Sequence, residues 1–174
     1  MHRIKVRDGT TLPALSVGLT RGWFSTRWPE ERRKWPVHLA GQVEEYLSAN
    51  AGFLQSGSDC FIHADLTRDH IIGRLADGHW STLGIIDFGD AMLANIYYEL
   101  TALHLNLFDC DKHLLTAFLQ AYGLPTDANF ACNAMVTSIL YKFEVYGYLF
   151  SWKPELQELS TLDELAERLW NVND

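Results

Sequence analysis

The stretch that most limits what this chain can fold into runs from Cys60 to Leu100, CFIHADLTRDHIIGRLADGHWSTLGIIDFGDAMLANIYYEL. Its apolar runs are too short for helices, rich in isoleucine, and bounded by polar or turn residues, so they read as short strands. The segments between and after them carry His63-Ala64-Asp65-Leu66, then His70, then Ile86-Asp87-Phe88-Gly89-Asp90. Carboxylates and imidazoles are therefore presented from loops at strand ends, where side chains can converge without disturbing the core.

Ile71 to Leu75 and Thr82 to Ile86 are two β-rich runs joined by Ala76-Asp77-Gly78-His79-Trp80-Ser81. A turn centred on Gly78-His79 sets His70 opposite Asp87, and one centred on Asp77-Gly78 shifts the pairing by two residues. Opposed residues in an antiparallel ladder lie about 4.5–5.5 Å apart at Cβ and diagonal ones about 7–8 Å. Either register brings His70 and Asp87 close enough to share one ion.

The remainder reads as helical packing behind this stretch. Val37 to Asn50 places Leu39, Val43, Tyr46 and Leu47 at helical spacing after Pro36, and Ile96 to Phe108 sets Leu100, Leu103, Leu107 and Phe108 on one side. Asp111 caps a helix whose Leu114, Leu115, Phe118 and Tyr122 are expected inward and which Gly123-Leu124-Pro125 stops. A single long helix is expected from Asp127 to about Phe150. Thr161 with Glu164 forms a capping box for a last helix bearing Leu162, Leu165, Leu169 and Trp170. Residues 2–17 read as a small hairpin turning at Asp8-Gly9. After it Trp23, Phe24, Trp28 and Trp35 interleave with Arg27, Arg32, Arg33 and Lys34, a segment pinned to the core by its tryptophans. The expected organisation is an N-terminal hairpin and aromatic segment, 1–36, and a main lobe, 37–174, in an α+β fold that is mainly α-helical.

Composition narrows the function. The chain has 174 residues, 48% of them hydrophobic and 13% aromatic, which suffices for one real core. A net charge of −8 argues against nucleic acid and anionic membrane as partners and leans weakly toward a cationic substrate. The most apolar run, Ala131 to Phe150, contains Asn133, Lys142 and Glu144, so it reads as a buried helix and not a membrane span. Three cysteines, Cys60, Cys110 and Cys132, are an odd number without paired spacing, and the start has no apolar leader. A cytoplasmic, reducing location is expected.

Phosphoryl transfer needs an acid–base group at the attacking hydroxyl and a divalent ion among the phosphates, and little else. His63-Ala64-Asp65-Leu66 with His70, followed by Asp87 to Ala91, resembles the aminoglycoside phosphotransferase and choline kinase-like family. That family's H-G-D-x-x-x-x-N and later I-D run in register with this chain. The resemblance covers roughly residues 37–150, including Ala-Phe-Leu-Gln-Ala-Tyr-Gly at 117–123. It implies that Asp65 is the catalytic base and that His63 braces its loop. It further implies that Asp87 and His70 hold Mg2+, that ATP or GTP is the donor, and that the acceptor is a small hydroxylated molecule. Glu99-Leu100 takes the place of the family's later Asp-Leu, and Asp90 and Arg68 fall on the supporting or substrate side.

The departures shape the expectation. Ala64 stands where the family prefers glycine, Ala94-Asn95 where it has Gly-Asp, and His70 where it usually has asparagine, a softer ligand than magnesium favours. Nothing before His63 reads as a Gly-rich phosphate loop or as a strand lysine with a helix glutamate. The expected fold is thus a protein-kinase-like C-terminal lobe with the N-terminal nucleotide lobe absent, completed by a homodimer mate or a separate partner chain. A non-catalytic binding or dimerisation module keeping the fold is the second reading. A zinc or manganese site from Cys60, His63, Asp65, His70 and Asp87 ranks below both, because alternation turns Cys60 and His63 to opposite faces.

Overall fold

The computed structural model describes residues 26–55 and 59–172; the expected hairpin over 2–17, with Trp23 and Phe24, lies outside them. Residues 26–31 are helical and lead into a 3-10 turn, Arg32–Lys34. Trp28 and Trp35 are buried, and the Trp35 ring packs 4.2 Å from Tyr146 and 5.3 Å from Phe150. The interleaved cations pair locally: Arg27 and Lys34 with Glu31, and Lys34 also with Glu144. Trp28 and Trp35 are packing residues.

The helix expected over Val37 to Asn50 is two, α1 (Val37–Ala40) and α2 (Val43–Asn50). Glycine weakens the helix at Gly41, and the Gln42 side chain is engaged elsewhere. Its amide donates to the His38 and Ser160 carbonyls while its oxygen accepts from the Leu162 amide. The break thus docks this corner on the start of the last helix.

Four short strands follow: β1 (Cys60–Ile62), β2 (Ile71–Ala76), β3 (His79–Ile85) and β4 (Met92–Ala94). β2 and β3 form a hairpin; β1 pairs antiparallel with β4, a strand the sequence reading did not anticipate. The hairpin connection is shorter than expected. Asp77 (φ 52°) and Gly78 (φ 76°) are both left-handed, the two-residue turn that matches strand twist. Pairing runs Ala76 with His79 through Gly73 with Thr82, then slips to Ile72 with Gly84, leaving Leu83 as a bulge. Neither expected register holds along the whole hairpin.

Asn95 accepts from the Tyr97 amide and starts α3 (Ile96–Ala102), which widens into a π turn at Leu103–Leu107, so the expected Ile96–Phe108 helix is present with a change of winding in its second half. Asp111 caps α4 (Lys112–Tyr122) by accepting from His113 and Leu114, and Gly123 closes it at φ 77°. Its buried positions are Leu115 and Leu119, while Leu114 and Tyr122 turn to solvent, so the inner face is rotated from the one expected. The long helix expected to reach Phe150 is also two, α5 (Phe130–Ile139) and α6 (Tyr146–Trp152), separated by residues 140–145. Phe143 is exposed there. α7 (Leu162–Trp170) begins at the capping box, with Thr161 accepting from Glu164 and the Glu164 carboxylate accepting from the Ser160 amide. The core gathers Leu39, Val43, Leu100, Leu115, Met135, Leu165 and Trp170, all fully enclosed. Among the described residues no helix is long and apolar enough to cross a membrane.

Candidate active site

Both strand pairs end at one place. β1 runs directly into His63, β4 starts just after Asp90, and the open end of the hairpin is held by the Ile86 amide donating to the His70 carbonyl, 3.0 Å. Backbone pairing alone therefore gathers the motif residues.

His63 is buried, and its Nε2–H donates to the Ile86 carbonyl at 2.8 Å. Its ring lies over the His70 ring (centroids 5.4 Å) and beside Phe88 (4.7 Å). The following residue, Ala64, is left-handed at φ 68°, a conformation that costs a non-glycine residue about 1 kcal/mol. That explains glycine's place in the family pattern. Here the peptide is gripped from both sides. Its amide donates to Glu99 Oε2 at 2.7 Å, and its carbonyl accepts from the Tyr141 hydroxyl at 2.9 Å. Burial pushes the Glu99 carboxyl up, against the opposing pull of the Ala64 amide.

This turn aims Asp65. Its Oδ1 accepts from the Tyr141 hydroxyl at 3.2 Å, and its backbone carbonyl accepts from the Thr67 amide at 2.9 Å. Burial raises the Asp65 carboxyl, with the Tyr141 hydroxyl and His70 pulling it back down. The same Asp65 carbonyl receives the Nδ1–H of His70 at 2.5 Å. With Nδ1 carrying the proton, Nε2 of the neutral ring is a bare lone pair. It points across the hairpin mouth at Asp87 Oδ2, 3.8 Å away. Asp87 is itself left-handed at φ 62° and its side chain is 68% exposed.

Asp90 is ion-paired with Lys142, and Arg68 bonds the Asn106 carbonyl and Asp109 at the end of the π turn. Arg68 thus ties the loop to the helical core. Tyr141 and Lys142 belong to the site and were missed by sequence reasoning. The two polar interruptions Lys142 and Glu144 in an apolar run were the available signal. They mark the break between α5 and α6, where Lys142 also donates its amide to the Tyr98 hydroxyl at 3.1 Å.

A carboxylate and an imidazole lone pair are donors that a divalent ion accepts. Two adjacent ligands of an octahedral ion at about 2.1 Å lie about 3.0 Å apart, so the 3.8 Å between His70 and Asp87 would have to close by about 0.8 Å to hold one. Magnesium habitually takes few protein ligands and completes its shell with water and phosphate. The larger set that includes Cys60 is not assembled: among the described residues no three metal-ligating side chains cluster, and Cys60 Sγ is turned to the Ala94 carbonyl at 3.6 Å.

A half-buried carboxylate bonded by a hydroxyl thus stands beside a carboxylate and an imidazole that face each other on a hairpin. The model of the Phosphotransferase enzyme family, APH, matches residues 1–132, and the chain belongs to that family. The resemblance drawn from His63, Asp65, His70 and Asp87 to aminoglycoside phosphotransferases thus stands as family membership.

Proposed function

We propose that this chain is the phosphoryl-transferring lobe of a small-molecule kinase, acting with Mg2+ and ATP or GTP on a hydroxyl of a small substrate. The observation that carries the reading is the pairing of His70 Nε2 with Asp87 Oδ2 at 3.8 Å, on a His70 ring anchored through Nδ1 to the peptide of Asp65. One hydrogen bond links the metal side of the site to the base side.

In this reading Asp65 accepts the proton of the attacking hydroxyl. Its Oδ1 is engaged with Tyr141, so the proton goes to Oδ2. His63 keeps the start of the loop seated by donating to the Ile86 carbonyl. Asp87 and His70 would hold the magnesium ion, which when bound neutralises charge on the phosphates. Residues 1–36 form the N-terminal segment, anchored by Trp28 and Trp35, and 37–174 form the C-terminal-type lobe. A homodimer mate or a separate chain supplies the rest of the nucleotide-binding surface.

Calorimetric titration with Mg-ATP and Mg-GTP tests the reading. Binding that Asp87→Ala abolishes is expected, and no binding of either nucleotide up to millimolar concentration overturns it. A second reading, a non-catalytic binding or dimerisation module, is favoured by the hairpin, which presents Leu75, Trp80 and Leu83 to solvent. Turnover equal in wild type and Asp65→Ala would decide for it.

A further inference from the structure

The geometry points to Tyr141 as a positioning residue that clamps the Ala64-Asp65 turn and reserves one carboxylate oxygen of Asp65 for the proton of the acceptor hydroxyl. The inference deepens the phosphotransferase reading and rests on it for its catalytic part.

A tyrosine hydroxyl has one proton to give, and that of Tyr141 sits between two acceptors, the Ala64 carbonyl at 2.9 Å and Asp65 Oδ1 at 3.2 Å. The first contact holds the left-handed peptide at Ala64 from its oxygen side while Glu99 holds its nitrogen side. The second fixes rotation of the carboxylate about its Cβ–Cγ bond. A carboxylate free to rotate presents either oxygen in a range of directions; the bond at Oδ1 favours the orientations that leave Oδ2 open. The ring cannot drift, because Tyr141 is buried between Tyr98 (4.9 Å) and Phe143 (5.5 Å).

The test compares wild type, Tyr141→Phe, Tyr97→Phe and Asp65→Asn as full chains. Phosphate release from Mg-ATP is followed with water, glycerol and choline as acceptors, alongside the 13C carboxyl resonance of Asp65, assigned by its loss in Asp65→Asn. Tyr141→Phe keeps the ring and loses only the hydroxyl. It is expected to lower kcat by about 10- to 100-fold, in line with the cost of a misplaced reacting group, with the nucleotide KM within about twofold. The Asp65 resonance should shift. Tyr97→Phe removes a hydroxyl from a neighbouring ring that packs on Phe53 and Phe130 and not on the Tyr141 turn, and should leave both readouts in place; if it lowers kcat equally, the effect is general packing and the inference fails. An unchanged kcat in Tyr141→Phe, with wild type active, also overturns it. Wild type no faster than Asp65→Asn defeats the phosphotransferase reading instead. In that case the resonance alone decides whether the clamp exists, and no shift in Tyr141→Phe removes it.

Discussion

His70 Nε2 and Asp87 Oδ2 face each other at 3.8 Å across the mouth of the β2–β3 hairpin. With Nδ1–H committed to the Asp65 carbonyl, Nε2 and Oδ2 both turn lone pairs toward the gap, so a cation placed there would meet two donors. The imidazole makes that ion's identity a measurable property of the chain, because magnesium takes oxygen ligands while first-row transition ions accept nitrogen more readily.

Replacing His70 with asparagine restores an oxygen donor. With nucleotide present, wild type is expected to bind Mn2+ more tightly than Mg2+, and His70→Asn to narrow that preference by about tenfold. Competition calorimetry with the two ions checks this. An unchanged ratio would place His70 outside the coordination shell.

Glu99 lies buried with Oε2 on the Ala64 amide. Glu99→Ala leaves that amide orphaned and should lower stability by about 2–3 kcal/mol, whereas Glu99→Gln keeps an acceptor and should cost much less. Urea unfolding of the two variants gives the comparison, and equal losses would refute the hydrogen-bond account.

His104 is fully enclosed, its Nε2–H donating to the Leu169 carbonyl at 2.8 Å and its ring 4.8 Å from Trp170. Burial pushes its pKa down to about 4 from an ordinary value of 6.5. Between those values the unfolded chain takes up a proton that the folded chain refuses. Stability is therefore whole above pH 6.5 and drains away as the pH falls toward 4, by about 3 kcal/mol in all. His104→Gln, which can still donate to Leu169, should flatten that slope in thermal melts from pH 7 to 4.

Asp77 occupies the first left-handed position of the hairpin turn ahead of Gly78. Asparagine is preferred there. Asp77→Asn is expected to raise stability by about 0.5 kcal/mol, read as a small rise in the denaturation midpoint with the slope unchanged.

The central stretch was the most legible part of the sequence, for a physical reason. Strand pairing is geometrically narrow, so the closeness of His70 and Asp87 followed from turn placement within two residues either way. The bulge at Leu83 did not follow, because it answers to twist in the finished hairpin. β4 was invisible for a similar reason: Met92–Ala94 is held by pairing with β1, far away in sequence. The break at residues 140–145 was hidden by apolar periodicity on both sides. What ends α5 is tertiary, since Tyr141 and Lys142 leave the helix for partners at Ala64, Asp65, Tyr98 and Asp90. The face of α4 was misjudged because Leu114 and Leu115 are equally apolar, and only the packed neighbours choose between them.

That interruption between α5 and α6 carries a consequence for how the protein can be trimmed. The stretch recognised as family sequence stops at residue 132, and every motif side chain lies inside it. Yet the hydroxyl gripping the acid's turn and the ammonium opposite Asp90 both come from later in the chain. A fragment cut after the recognised portion would retain each signature letter and lose the scaffold that orients them. The alphabet of this site is written in the middle of the polypeptide, and its grammar in the tail.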